Sequence, residues 1–245
     1  MMNYKLTIQY DGGRYKGWQR LGDTEDTIQG KIERSLTELE GHTVEIIGSS
    51  RTDAGVHALA QIANVKLSKL LTAAELKRAL NQSLPQDISV CSAEAVPERF
   101  HARYHAKRKT YLYKIWNKDY SNPFMRKYSM SITTPLDMAR MRDASHYFIG
   151  THDFTAYSNA KSKKKNAVRT IDTLTIEEKD GLIQIRVGGN GFLYNMVRKI
   201  VGTLIEVGLK EIEASAVPDI LEAQKRDQTG LMADARGLYL EKIDF

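Results

Sequence analysis

Residues 48–58 read Gly-Ser-Ser-Arg-Thr-Asp-Ala-Gly-Val-His-Ala, which sets one carboxylate (Asp53), one guanidinium (Arg51) and one imidazole (His57) among small side chains. Small neighbours let a backbone approach a ligand closely, and loops carried by a rigid sheet are where acids, bases and nucleophiles usually sit. Taken alone, the loop has a plainer reading: a tight turn in which Asp53 accepts backbone N–H bonds and Arg51 is solvated. Spacing does not choose between the two.

A second chemical feature follows downstream. Residues 99–118 hold seven Lys or Arg and no acid, interleaved with His101, Tyr104, His105, Tyr111, Tyr113 and Trp116. Cations that neutralise phosphates and aromatic faces that accept unstacked bases are the makings of an RNA-binding surface, and Arg103 and Lys109 are its candidate contacts. Another basic run spans 161–165 and adds Arg169; Lys163, Lys164 and Lys165 either clamp a nucleic-acid backbone or form a solvated face. The whole chain of 245 residues carries 36 Lys and Arg against 30 Asp and Glu, a net charge of +6 that suits a polyanionic partner. Hydrophobic residues make up 42%, enough for a folded core, so intrinsic disorder is excluded.

The only cysteine, Cys91, leaves no intramolecular disulfide, and no Cys/His cluster has zinc spacing. No metal site is expected; His57 is read as shaping the 48–58 loop, and His152 with Asp153 as anchoring a turn. The first ten residues alternate rather than form a signal-peptide core, and no run reaches membrane-spanning length, so a cytoplasmic protein without membrane contact is expected.

The elements that position these residues are legible in outline. Tyr4, Leu6, Ile8 and Tyr10 alternate with polar residues as in a half-buried strand. Thr27 caps a helix in which Ile28, Ile32, Leu36 and Leu39 recur until Gly41, and Thr72 with Glu75 has capping-box spacing for a second helix ending before Pro85. Strands are expected at 44–47, 62–67, 88–95 and 110–117, a helix from Asp137 to Phe148, a hairpin of 174–177 with 182–187, an apolar helix from Leu193 to Ile205, a helix around 219–225 and a last strand at 238–245. This order lacks a regular strand-helix rhythm and implies α+β with a largely antiparallel sheet. Residues 5–39 and 183–206 share a strand, glycine turn and helix order that hints at duplication. No linker separates an N-terminal half, 1–105, from a C-terminal half, 106–245, so the two are expected to share one continuous sheet.

The run from Arg51 to Ala58 resembles the signature loop of the tRNA pseudouridine synthase A family. The likeness continues in order through Tyr10-Asp11-Gly12, Gly17-Trp18-Gln19, Thr27-Ile28-Gln29-Gly30, Phe100-His101-Ala102-Arg103 and Lys109-Thr110-Tyr111-Leu112-Tyr113. It resumes at Gly150-Thr151-His152-Asp153-Phe154, Phe192-Leu193-Tyr194-Asn195-Met196-Val197-Arg198 and Gly237-Leu238-Tyr239-Leu240. The resemblance implies a mixed, mainly antiparallel sheet in two related halves with helices packed on it and a central catalytic cleft. It also implies a homodimer gripping tRNA, and isomerisation of uridine to pseudouridine in the anticodon stem-loop with neither cofactor nor metal. The rival reading is a catalytically silent tRNA-binding protein or RNA chaperone descended from such an enzyme.

In that likeness Asp53 is the catalytic carboxylate, with three roles open to it: stabilising charge at the glycosidic carbon, adding to the sugar, or removing a sugar proton. Arg198 matches the family's active-site arginine, a cation that keeps a desolvated carboxylate ionised; a surface arginine on a helix is the plainer alternative. Tyr111 matches the aromatic neighbour of the everted base, against the plainer role of cross-strand packing. Arg51 is placed to enter the helix or contact phosphate where the base left. The chain departs from the family at Met232-Ala233-Asp234-Ala235, where a Thr-Ala-Pro-Pro type sequence is common, so no apolar residue is assigned to back the uracil.

Overall fold

The computed structural model describes residues 1–159 and 166–245; the candidates Lys163, Lys164 and Lys165 lie outside the described residues. The described chain is α+β with mainly antiparallel strand pairing and five α-helices, and it divides into two compact units, Met1–Lys107 with Tyr239–Phe245, and Arg108–Leu238. No helix among the described residues is long and apolar enough to cross a membrane.

The first unit holds β1 (Met2–Tyr10), α1 (Ile28–Glu40), β2 (Ile46–Gly48), β3 (His57–Leu67), α2 (Ala73–Ser83) and β4 (Ile88–Val96). Strand β1 lies between β3 and β4, antiparallel to both, and β2 pairs antiparallel with the far end of β3. The alternation read in β1 is the observed burial: Tyr4, Leu6 and Ile8 are fully buried while Gln9 is exposed. Ile28, Ile32 and Leu36, one helical turn apart, bury the inner face of α1, each contributing about 2 kcal/mol of transfer free energy. Both expected caps are present. Thr27 accepts the Gly30 N–H, and Thr72 and Glu75 form the reciprocal capping box.

The second unit holds β5 (Arg108–Trp116), β6 (Met130–Ser131), α3 (Met138–His146), β7 (Gly150–Asp153), β8 (Val168–Lys179), β9 (Leu182–Gly189), α4 (Met196–Gly208) and α5 (Val217–Ala223). Its strands run in the order β5, β9, β8, β7, each antiparallel to the next, with β6 parallel beside β5. Residues Tyr239–Phe245, which take in all but the first residue of β10 (Leu238–Asp244), return to the first unit, where β10 pairs parallel with β3.

Three local expectations change. Strand β3 starts at His57 rather than at residue 62, so the 48–58 loop runs directly into it. His152 and Asp153 lie in strand β7, and the turn begins one residue later, where Asp153 Oδ1 accepts the N–H and hydroxyl of Thr155. Tyr113, read as part of a basic-aromatic surface, is fully buried.

Helix α4 is buried on nearly every side because the segment before β10 crosses it at close range. A Cβ on Gly202 would lie 1.6 Å from the Leu231 carbonyl oxygen, a backbone atom with no room to withdraw. Gly202→Ala is expected to destabilise by about 1–3 kcal/mol and lower Tm by roughly 2–12 °C in a thermal scan. Gly22→Ala, with nothing within 4 Å of its Cβ, is expected to leave Tm unchanged. Equal melting of Gly202→Ala and the parent chain would contradict the close approach.

Candidate active site

In the first unit, the loop between β2 and β3 carries Arg51 and Asp53. Its entry is fixed by Gln61 of β3, fully buried, whose Oε1 accepts the Ser50 N–H at 3.2 Å and whose Nε2 donates to the Ser50 carbonyl at 2.7 Å. The Ser49 N–H donates to Ile62 O at 2.8 Å. Beyond that the loop is held by the segment from Tyr10 to Trp18. Thr52 Oγ1 lies 2.8 Å from the Tyr10 hydroxyl, both residues being buried. Its carbonyl accepts the Trp18 N–H at 3.0 Å, and the Gly55 N–H donates to Tyr15 O at 3.3 Å.

The holding segment is itself anchored. Burial and, after it, the hydrogen bond to Asp87 push the Tyr15 phenol up to about 12, so at neutral pH it remains a donor and gives Asp87 Oδ1 a 2.6 Å bond. At the far end of the loop, buried His57 accepts the Gly12 N–H on Nδ1 at 3.1 Å, and Asp11 Oδ1 lies 3.1 Å from the same nitrogen. The His57 ring stacks on Tyr239, with centroids 4.8 Å apart. The reading of His57 as a residue that shapes this loop agrees with that geometry. Asp53 is half-buried and Arg51 exposed, an arrangement in which a carboxylate meets a ligand from a backbone that is already ordered.

In the second unit, Lys109, Tyr111 and Tyr113 share one face of β5 by strand alternation. Tyr111 is buried, and its ring meets Phe192 edge to face at 5.2 Å. Tyr113 donates its hydroxyl to the Asp234 carbonyl at 2.8 Å. Burial and the Asp234 charge hold its phenol well above the ordinary tyrosine range, against the opposing Arg198 and Arg236 cations, so it acts only as a neutral hydrogen-bonding group.

Arg198, half-buried in the first turn of α4, donates from Nε to the Ala233 carbonyl at 2.7 Å, while the Ala233 N–H donates back to the Arg198 carbonyl at 3.2 Å. Asn195, the left-handed residue ahead of the helix, lies with Oδ1 3.5 Å from Arg198 Nη1. The guanidinium is thus aimed by one backbone carbonyl of the stretch in which the sequence departs from the family. Because that bond runs to a backbone atom, the stretch 232–235 can hold the arginine through Ala233 without the common side chains. Sequence reading missed this anchor, since a carbonyl has no residue signature; the single clue was that Tyr113, in an apolar strand, needs a buried partner for its hydroxyl.

Arg103 is exposed on the turn that follows β4, and Lys109 is half-buried. Among the described residues no group of three or more His, Cys, Asp or Glu is placed to hold a metal ion.

A family model described as tRNA pseudouridine synthase matches residues 6–105 and 144–245, which include Arg51, Asp53, Arg103 and Arg198. Lys109 and Tyr111 fall between the matched blocks, within the full-length similarity to curated proteins. One such relative, tRNA pseudouridine synthase A of Bacillus sp. (strain KSM-64), is 64% identical over 245 residues, with 100% of both chains covered. A Bacillus cereus protein named tRNA pseudouridine synthase A 2 is 59% identical over 245 residues, again with 100% of both covered. The tRNA pseudouridine synthase A of Acetivibrio thermocellus is 44% identical over 243 residues, 99% of each chain.

The clamp on the Asp53 loop is directly measurable. Gly17 has φ +98°, and a Cβ there would lie 2.6 Å from Thr52 O and 3.1 Å from the Asp53 carbonyl carbon. Gly17→Ala is expected to force the two segments apart and raise hydrogen exchange of the Trp18 and Gly55 amides about tenfold or more, while β1 and β3 keep their protection. Unchanged exchange at both amides would show that the segment does not hold the loop.

Proposed function

The chain belongs to the tRNA pseudouridine synthase family, and we propose that it isomerises uridine to pseudouridine in the anticodon stem-loop of tRNA with Asp53 as the catalytic carboxylate. It is an isomerase: the bond from ribose C1′ to uracil N1 breaks, the base turns, and C1′ bonds to C5. The proton on C5 leaves, N1 gains one, and no atom is added overall. The observation that carries the assignment of Asp53 is its place as a half-buried acid between Thr52 and Gly55, both tied by hydrogen bonds to the Tyr10–Trp18 segment.

Each proposed role follows from charge and geometry. As N1 departs, C1′ becomes electron-poor, and an ionised carboxylate stabilises it, adds to it, or takes a neighbouring sugar proton. Arg198, aimed by the Ala233 carbonyl, supplies the cation that favours the ionised acid once uracil displaces water. Tyr111, its ring set by Phe192, stacks on the uracil as it turns and helps pass the C5 proton on. A base-paired uridine must leave its stem to react, and Arg51, exposed beside Asp53, is proposed to occupy or brace the gap. Arg103, Lys109, Lys163, Lys164 and Lys165 are proposed to neutralise tRNA phosphates. We further infer that the enzyme works in the cytoplasm, where tRNA is its substrate, as a homodimer, and without cofactor or metal, because an isomerisation transfers neither electrons nor a group to a second molecule. Nothing favours the silent-binder alternative.

Purified protein given unmodified tRNA labelled with tritium at uridine C5 is expected to release tritium. Asp53→Ala is expected to slow release by at least about a thousandfold while tRNA binding stays within a few fold. Turnover by that variant at the parent rate would remove Asp53 from the mechanism.

A further inference from the structure

Among the Phe, Tyr and Trp residues within 99–120, two are left open to solvent by more than half, and they differ in their surroundings. Tyr120 is 57% exposed and lies edge-on to Trp116, whose indole N–H donates to its carbonyl. Tyr104 is 78% exposed and lies flat on the ring of His101, with centroids 4.0 Å apart and planes 25° from parallel. Stacking covers one face of Tyr104; its exposure is therefore that of the other face and the edge.

The support beneath Tyr104 is built from fixed parts. His101 Nδ1 accepts the N–H of Arg103 at 3.2 Å and of Tyr104 at 3.3 Å, which fixes both the ring plane and the tautomer. The His101 N–H donates to His105 Nδ1 at 3.3 Å, and the His105 N–H to His101 O at 3.1 Å, closing the turn on itself. The turn is tied to the sheet by Asn64 Oδ1, which accepts the Ala102 N–H at 2.8 Å, and by Asn3 Nδ2, which donates to Phe100 O at 3.0 Å. Burial, followed by the Arg103 and His105 charges, lowers the His101 pKa, so the ring under Tyr104 is neutral at physiological pH.

Charge completes the arrangement. Arg99, Arg103 and Lys107 are exposed around this turn, and none of them is ion-paired among the described residues. Of the acids beside the turn, Glu98 faces Lys66 at 3.4 Å, and Asp244, whose carbonyl accepts the Lys107 N–H, faces Lys242 at 2.6 Å. Elsewhere in the same unit Arg20, Lys31 and Arg34 are each paired with an acid, whereas the three cations at the turn are open to an anion.

We propose that the turn at residues 100–105 is a nucleobase-stacking platform, on which an unpaired base of the RNA substrate lies against the open face of Tyr104 while Arg99, Arg103 and Lys107 hold its flanking phosphates. The proposal rests on tRNA being the substrate and adds a contact remote in function from the isomerised uridine. Stacking on an aromatic face tolerates any base and is insensitive to salt, whereas phosphate contacts release counterions; the two halves of the platform therefore have separable signatures.

The test measures binding of unmodified tRNA as a function of salt, beside tritium release at saturating tRNA. Tyr104→Ala is expected to raise Kd roughly 5- to 100-fold with the salt slope and kcat unchanged, and Tyr104→Phe, which keeps the ring, to restore binding. Arg103→Gln is expected to flatten the slope of log Kd against log salt by about one. The platform is overturned if Tyr104→Ala binds as the parent does, if Tyr104→Phe binds as weakly as Tyr104→Ala, or if the loss is in kcat. Absence of tritium release by the parent protein would instead count against the reaction, and the Kd series would still decide the platform.

Discussion

Thr52 is held twice, by its hydroxyl against the Tyr10 hydroxyl and by its carbonyl against the Trp18 N–H, and the residue that follows it is Asp53. A carboxylate on an ordinary surface loop samples many orientations, and each must be lost when a substrate is engaged. Here the ordering is completed during folding. Gln61 fixes the entry of the loop, His57 and Gly12 its exit, and the Tyr10–Trp18 segment its middle. Strand β1, helix α1 and strand β3 are the frame that brings those three anchors to one stretch of chain.

The second unit solves a similar problem with different parts. Arg198 and Tyr113 take the adjacent carbonyls of Ala233 and Asp234, so one extended stretch is pinned by a helix and by a strand. Gly202 and Gly230 let that stretch lie directly on α4. Recognition through carbonyl oxygens frees the side chains at 232–235 to vary, and this is the physical reason the departure from the common Thr-Ala-Pro-Pro pattern leaves the arginine anchored.

What the sequence disclosed follows from the same chemistry. Caps such as Thr27, Thr72 and Glu75 announce themselves because a side chain does the capping, and the alternation of Tyr4, Leu6 and Ile8 announces β1 because one face is buried. The family resemblance was carried by side chains and glycines in order, and the full-length relatives agree with it. Strand β7 was illegible because Gly150–Asp153 has no apolar alternation and is held by backbone pairing to β8. The anchoring of Arg198 was illegible because its partner is a carbonyl. Tyr104 and Tyr113 look alike in a basic, aromatic run, yet one is open and the other fully buried, a difference set by which strand face and which turn they occupy.

The central claim is that the Tyr10–Thr52 hydroxyl pair positions Asp53 for chemistry rather than for stability alone. Single-turnover conversion of uridine at saturating unmodified tRNA tests it in the Tyr10→Phe variant, which keeps the ring and removes only the hydroxyl. The account predicts a rate constant lower by about ten- to a hundredfold, the scale of a small misplacement of a reacting group, with tRNA affinity and Tm close to those of the parent. A rate constant equal to the parent's would contradict it.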